Sequence, residues 1–206
     1  TLFDFRKVNI SCLYDKRRYG ICMKNNVMCA ALVLCGVAFG AQAQSVVYTE
    51  ATYLLLSATS HASPSGTTTS DGKAAAAIVG YQLNENLSLE GMVASGLSSA
   101  DVKLNGTTQT NPVTQKLDLA YGAYVRAKTT LTNDVEIFAR VGRSGWHTTA
   151  STASASSSSH LYDWMYSAGL NYNINKSTYL TGGWASIYNK SSTKTDGYSL
   201  GIGFRF

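Results

Sequence analysis

The sequence predicts an all-β fold, an eight-stranded antiparallel transmembrane up-and-down β-barrel, and three observations lead to it. Apolar and polar residues alternate with a period of two over eight segments, as in strands whose two faces differ. Short turns and long polar connections alternate between these segments. No apolar run reaches the roughly 18 residues that a membrane-spanning helix needs. Strands would therefore have to make any membrane crossing.

The first 43 residues are predicted to lie outside this fold. From Met23 the chain has the parts of a secretory signal, with Lys24 as the charged region, an apolar stretch over 27–39, and the small-x-small triplet Ala41-Gln42-Ala43. We expect cleavage after this triplet. The predicted divisions are an upstream extension translated from a start placed too early (1–22), a signal peptide (23–43) and the outer-membrane β-barrel domain (44–206).

Charge and cysteine content exclude several classes of protein. The formal net charge of the 206 residues is +5, but without the first 43 residues 11 basic and 10 acidic residues remain. Without a basic cluster there is no electrostatic footprint for nucleic acid. All four cysteines lie at or before Cys35, so the barrel has neither a disulfide framework nor a thiolate metal site. We expect no cofactor.

The strands are predicted from the alternation, segment by segment. The eight segments are 46–57, 73–83, 86–97, 116–127, 135–147, 162–174, 178–189 and 198–206. In the fourth segment, Leu117 and Leu119 are assigned to the same apolar face. Short turns are expected at 84–86, 131–134 and 173–177, and long loops at 58–72, 98–115, 148–160 and 190–196. Within the second loop, Asn105-Gly106 is typical of a type I′ hairpin.

The composition of the two faces decides which one points outward. A small soluble barrel keeps large apolar residues inside and charges outside. Here the polar face is rich in Gly and Ser, too small for an outer surface, while the apolar face carries aromatic residues at the strand ends. This is typical of a transmembrane barrel with two aromatic girdles. The expected rims are Trp146, Tyr162, Trp164, Tyr188 and Tyr198 at one end, and Tyr81, Tyr172, Tyr179, Phe204 and Phe206 at the other.

Three motifs resemble the outer-membrane protein A and outer-membrane protein X type of eight-stranded barrel. They are the signal peptide, Gly80-Tyr81 followed by Asn86-Leu87-Ser88-Leu89-Glu90-Gly91, and the terminal Leu200-Gly201-Ile202-Gly203-Phe204-Arg205-Phe206. The resemblance implies a monomer in the outer membrane of a Gram-negative bacterium, in contact with outer-membrane lipid and lipopolysaccharide. It also implies that periplasmic chaperones and the barrel-assembly machinery handle the chain. The implied assembly signal comprises Tyr198, Leu200, Ile202, Phe204 and Phe206.

Alternation also assigns seven charged residues to the barrel lumen. An eight-stranded barrel is only wide enough to be filled by side chains, and unpaired charges there would cost several kcal/mol each. We therefore expect a structural ion-pair network that plugs the lumen. Carboxylates placed for acid or base catalysis are the alternative, but no nucleophile with a nearby base lies on a matching strand. The seven residues are Glu50, Glu90, Arg126, Glu136, Arg140, Asp163 and Arg205.

The three histidines offer weaker candidates for chemistry. His61-Ala62-Ser63 superficially resembles a deacylase His-x-Ser motif, but it lies in a predicted loop. His147 and His160 could meet across a hairpin, yet two ligands do not make a specific zinc site. The sequence therefore predicts a non-enzymatic outer-membrane protein with a structural or surface role and no metal. A narrow porin-like channel for small solutes and a lipid A-modifying enzyme stay open as alternatives.

Overall fold

The computed structural model describes residues 47–62, 66–108, 113–152, 154–190 and 192–206. The upstream extension and the signal peptide predicted above lie outside these ranges. Within them all regular secondary structure is β-strand, and no helix long and apolar enough to cross a membrane occurs there.

Eight long strands and three two-residue strands make up the described part of the chain. In order they are β1 (Val47–Ala62), β2 (Gly66–Gln82), β3 (Leu87–Gly96), β4 (Ala100–Asp101), β5 (Lys103–Leu104), β6 (Thr107–Thr108), β7 (Thr114–Thr130), β8 (Val135–Ser151), β9 (Ser156–Asn173), β10 (Thr178–Lys190) and β11 (Thr193–Arg205).

The eight long strands form a closed antiparallel ring. Each pairs with its neighbours in the order β1-β11-β10-β9-β8-β7-β3-β2, and β2 pairs again with β1. The closing pair β1 and β11 is continuous from Tyr48 opposite Arg205 to Ser60 opposite Thr193. A closed ring leaves no strand edge without hydrogen-bond partners in lipid. The predicted eight-stranded up-and-down barrel is confirmed.

The short turns lie together at one end of the barrel, next to the beginning of β1 and the end of β11. In two of them an asparagine side chain organises the turn: Asn84 Oδ1 accepts the backbone N–H groups of Asn86 and Leu87 at 2.9 Å. Asn175 Oδ1 does the same for Ser177 and Thr178. Such side-chain turns need few residues, and short turns mark the periplasmic end of barrels of this kind.

At the other end, three of the four predicted loops are largely strand, so those predictions are wrong. The ladders of 58–72, 148–160 and 190–196 continue far up the hairpins, for example in the pairs Ser60 with Thr68 and Ser151 with Ser156. Above the membrane both faces of a hairpin contact water, so the period-two pattern disappears from a Ser- and Thr-rich sequence. Thr nevertheless favours extended backbone.

The remaining predicted loop, 98–115, holds the three short strands. Its Asn105-Gly106 turn joins β5 to β6, and both residues have positive φ, 49° and 81°. The predicted type I′ hairpin is thereby confirmed, because that turn requires positive φ at both central positions.

Six of the ten predicted aromatic rim residues are exposed, and four are not. The exposed members are Tyr81, Tyr162, Trp164, Tyr172, Tyr198 and Phe204. Trp146 and Tyr179 instead point into the lumen with only 6% and 1% of their surface exposed, and Tyr188 and Phe206 are half-buried. On β8, Trp146 lies on the same face as Glu136 and Arg140. On β10, Tyr179 lies on the same face as buried Thr181. The orientation of these two side chains is therefore determined by the alternation along each strand, and the prediction that they face lipid is wrong.

Leu117 was also assigned to the outer face and is buried. The pairing of β7 with β8 shifts register between Leu117 and Leu119, where Asp118 is the extra residue. A bulge inserts one residue without a partner and so reverses the parity on its far side. Leu119, beyond the bulge, faces outward as predicted.

Changing Leu200 to Arg tests the assignment of faces on β11. Leu200 is 68% exposed between Tyr198 and Phe204 on the lipid side. A guanidinium there should lower the free energy of unfolding by about 2–4 kcal/mol, because the midplane of a bilayer does not solvate charge. Urea unfolding in phospholipid vesicles measures the effect, with Leu200→Ala as the control for lost apolar area. Equal stability of the two variants would contradict the assignment.

Candidate functional site in the barrel lumen

Four charged side chains from four strands meet at the axis of the barrel. Alternation turns Glu50 of β1, Glu90 of β3, Arg126 of β7 and Arg140 of β8 inward, and each has at most 8% of its surface exposed. Arg126 and Arg140 are direct cross-strand partners. Two positive charges side by side need negative partners from elsewhere in the ring, and the two glutamates supply them. We call these four residues the central cluster.

The central cluster is a closed set of ion pairs. Arg140 donates from Nε to Glu90 Oε2 and from Nη2 to Glu50 Oε2, both at 2.6 Å. Arg126 donates from Nη1 to Glu50 Oε1 at 2.7 Å and to Glu90 Oε1 at 3.2 Å. Each arginine thus bridges both carboxylates, and the formal charges of the four side chains cancel. Such mutual pairing offsets the desolvation of buried charges.

Aromatic residues complete the surroundings of the central cluster. The Tyr48 hydroxyl donates to Glu90 at 2.6 Å, and the Tyr179 hydroxyl donates to Glu50 at 2.8 Å. The guanidinium carbons of Arg126 and Arg140 each lie 4.3 Å from the centre of the Phe138 ring, within cation–π range. The carboxylates therefore receive extra donors, and the guanidiniums pack against a ring instead of water.

Two glycines make room for the tyrosine rings. A Cβ atom at Gly80 would overlap the Tyr48 ring, and a Cβ atom at Gly203 would overlap the Tyr179 ring. Gly80 lies directly opposite Tyr48 in the pairing of β1 with β2, and Gly203 lies directly opposite Tyr179 in the pairing of β10 with β11. The rings can therefore lie flat across the neighbouring strand and reach the carboxylates.

A second group of charges lies closer to the periplasmic end. Glu136 accepts from Arg205 Nη2 at 2.7 Å, from Asn171 Nδ2 at 3.1 Å, and from Lys128 Nζ at 3.4 Å. Arg205 also lies over the Tyr179 ring, with its guanidinium carbon 4.3 Å from the ring centre. Tyr179 therefore connects this lower group to the central cluster, and a cavity of only about 10 Å³ remains between them.

The structure does not bring all the predicted residues together. Six of the seven lumen charges belong to the two connected groups, whereas Asp163 lies near the outer end, 3.4 Å from Lys190 Nζ. Sequence reasoning missed Tyr48, Lys128 and Tyr179 as members. Tyr48 and Lys128 share the parity of charged neighbours two residues away, Glu50 and Arg126, and this signal could have identified them.

The histidines lie on the outer hairpins, away from the lumen charges. His61 Nδ1 is 2.9 Å from the Thr67 hydroxyl. His147 and His160 are directly opposite on β8 and β9, with ring centres 3.2 Å apart. Ser63 of the His-x-Ser motif lies outside the described residues. In the described ranges, no group of three or more His, Cys, Asp or Glu side chains is placed to hold a metal ion.

Replacing Arg140 by Ala should strongly destabilise the barrel. The change removes three hydrogen bonds to Glu50 and Glu90 and leaves two buried carboxylates facing one arginine. Breaking a buried pair in this way costs about 3–5 kcal/mol. Chemical unfolding of the purified protein measures it. Arg143→Ala is the matched control on β8, because Arg143 is exposed and its guanidinium lies 5.9 Å from the Trp164 ring centre. Equal losses would contradict a buried network.

The space that glycine leaves for a tyrosine ring predicts a second, independent effect on stability. Gly203→Ala should displace the Tyr179 ring from Glu50 and cost about 1–3 kcal/mol through overpacking. Gly91→Ala on β3 is the control, since a Cβ atom there meets nothing within 4 Å. Unfolding midpoints of the two variants give the comparison. A Gly203→Ala variant as stable as Gly91→Ala would show that the ring has freedom to move aside.

Comparison with known proteins agrees with this architecture. The family model described as the outer membrane protein beta-barrel domain matches residues 28–206. No curated protein matches the chain significantly in sequence. Among solved structures, Neisserial surface protein A is 15% identical with a TM-score of 0.58, covering 79% of this chain and 98% of its own.

Two further solved barrels are similar at comparable distance. The attachment invasion locus protein Ail of Yersinia pestis is 14% identical with a TM-score of 0.54, covering 78% of this chain and 97% of its own. The outer membrane protein OprG from Pseudomonas aeruginosa is 14% identical with a TM-score of 0.50, covering 77% and 95%. At such low identity these likenesses concern the fold alone. The family match carries the conclusion: the chain belongs to the outer membrane protein beta-barrel domain family, and the protein resides in the outer membrane.

Proposed function

We propose that the protein is a non-enzymatic outer-membrane barrel with a structural or surface role, closed to solutes by its lumen ion pairs. The observation that supports this is the central cluster. Its four charged side chains are almost fully buried, bind one another across the barrel axis, and are sealed below by the Glu136 group. A hydrated channel would leave such charges in contact with water.

The placement of the histidines favours a protein without catalytic activity. A hydrolytic site needs a base within hydrogen-bond reach of a nucleophile and a third group that orients the base. Among the described residues, no histidine is hydrogen-bonded to a carboxylate, and the one hydroxyl bonded to a histidine ring is that of half-buried Thr67. The lumen carboxylates are already engaged, Glu50, Glu90 and Glu136 by arginines and Asp163 by Lys190.

The outer hairpins fit a surface role. β1–β2 and β8–β9 continue as paired strands up to Ala62 and Ser151, so stiff Ser- and Thr-rich hairpins project from the outer end. Arg143 lies beside exposed Trp164 on the lipid side, a placement suited to the phosphates of lipopolysaccharide.

Export and assembly complete the proposal. We infer that residues 23–43 are a cleaved signal peptide, and that the protein is a monomer inserted by the barrel-assembly machinery after delivery by periplasmic chaperones. The proposed assembly signal comprises Tyr198, Leu200, Ile202 and Phe204 of β11 together with Phe206, which follows the strand.

Planar-bilayer recording tests the closed lumen. The purified protein should give no stepwise conductance, whereas the charge-neutral double variant Glu50→Ala/Arg140→Ala should open a leak, because it removes two of the four side chains that fill the cross-section. The control is Lys194→Ala/Asp196→Ala, an equally neutral removal of an ion pair at the outer end of β11.

Two results would contradict the proposal. Regular conductance steps from the unmodified protein would favour the porin-like alternative. A changed acyl-chain pattern of lipid A in a strain lacking the protein, measured by mass spectrometry, would favour the enzymatic alternative.

A further inference from the structure

Above the central cluster the lumen changes character and becomes apolar. The apolar inward residues of this upper part form one buried cluster, which we call the upper chamber. Its buried members are Ala74, Ala76, Ile78, Met92, Ala94, Leu117, Ala120, Tyr124, Trp146, Met165, Ala185 and Ile187, with Leu54, Leu56 and Leu161 packed against them. One charged inward residue at this level is Asp163, which lies between Leu161 and Met165 on β9 and pairs with Lys190.

These side chains do not fill the upper chamber. A cavity of about 80 Å³ lies at its outer end, and a second of about 30 Å³ lies below it. Leu56, Trp146 and Ile187 line both cavities, so these three side chains form the partition between them. A rotamer change at the partition would join the two spaces.

The two ends of the upper chamber differ. Below, the lower cavity ends at Tyr124 and Arg140, where the central cluster closes the barrel. At the outer end the lining includes the hydroxyl side chains of Ser70, Thr148 and Thr195. Among the described residues, the chamber is therefore closed below and bordered by hydroxyl groups at its outer end.

We propose that the upper chamber binds a small, uncharged apolar molecule that enters from outside the cell. Its walls offer Leu, Ile, Met and Trp surface, and the indole N–H of Trp146 is already donated to Ser144 Oγ at 2.8 Å. Of its lining residues only Lys73 and Arg140 carry charge. Lys73 is an exposed residue between inward-facing Gly72 and Ala74, and Arg140 is held by two glutamates. A charged ligand would therefore find no unpaired charged side chain that faces into the chamber.

The size and lining of the pocket set the chemical class. An apolar cavity of roughly 150 Å³ takes up benzene, because water inside it finds few hydrogen-bond partners, and displacing such poorly held water favours binding. The two cavities of the upper chamber, about 80 and 30 Å³, would have to join to approach that size. The Ser167 Oγ lines the lower cavity, is buried, and has no hydrogen-bond partner among the described residues. The pocket therefore also accommodates one hydrogen-bonding group on a ligand the size of a substituted benzene.

The three tryptophans of the chain allow a direct test. Trp146 lies in the chamber, whereas Trp164 and Trp184 face outward. In the full-length protein carrying Trp164→Phe and Trp184→Phe, emission reports on Trp146 alone. Bromobenzene, whose bromine quenches indole emission, should quench it saturably. The charged 4-bromobenzoate, which adds a carboxylate to the same ring, should not.

Filling the pocket should abolish the saturable quenching. Ala58 of β1 lines the outer cavity, and Ala58→Leu should weaken bromobenzene binding by about tenfold or more, the effect of overpacking such a site. Ala100→Leu fills the same cavity from β4 and serves if the first variant does not fold. Ala51→Leu on the lipid face of β1 is the matched control and should bind like its parent.

The results separate a pocket from partition into detergent or lipid. Quenching that rises without saturation, or that is unchanged by both Ala58→Leu and Ala100→Leu, would overturn the proposal. So would equal quenching by bromobenzene and 4-bromobenzoate. Saturable quenching by bromobenzene that both filling variants remove and Ala51→Leu retains would establish the site, whatever the conductance of the barrel.

Discussion

Lipid offers no hydrogen-bond partner to a polypeptide backbone, and the other features of this protein depend on that constraint. A sheet in a membrane must close on itself, which β1 achieves by pairing with β2 on one side and β11 on the other. Closing eight strands fixes a barrel so narrow that side chains must fill it. The number of strands by itself thus requires that side chains fill the lumen, whatever the function of the protein.

A narrow interior makes charge neutrality a local requirement. Glu50 and Glu90 would each be destabilising alone, and so would Arg126 and Arg140, but the four cancel within one cluster. Arginine suits this arrangement better than lysine, since one planar guanidinium can reach two carboxylates at once. Arg140 uses two nitrogens to do so. The tyrosine hydroxyls then occupy remaining acceptor sites, which is possible only because glycines stand where their rings lie.

The face of a strand on which a residue lies can be deduced from the sequence. The height of that residue along the barrel axis and the side chains that it contacts cannot. Alternation alone assigned the seven charged residues to the lumen. It also indicated that Trp146 faces the lumen, but the expectation of an aromatic girdle led to the opposite prediction. The bulge at Asp118 leaves no mark in the pattern, so Leu117 was placed on the wrong face. Glu50 and Arg140 are 90 residues apart, and their contact depends on how every intervening pair of strands is staggered. A one-residue slip in any pair would alter that contact. The sequence could therefore predict which residues belong to the ion-pair network but not which of them contact one another.

The inward positions of single strands explain why the lumen has two levels. On β1 they run from Glu50 to Leu54 and Leu56, and on β8 from Glu136 and Arg140 to Ser144 and Trp146. Charge gives way to apolar surface in the direction of the outer end on both strands. The polar floor can hold the strands together while the space above it varies, because different positions of the same strands line them. Except where the lower cavity meets Arg140, residues of the upper chamber lie apart from the central cluster. The outer half of this barrel can therefore vary in sequence while the ion pairs that close it are kept.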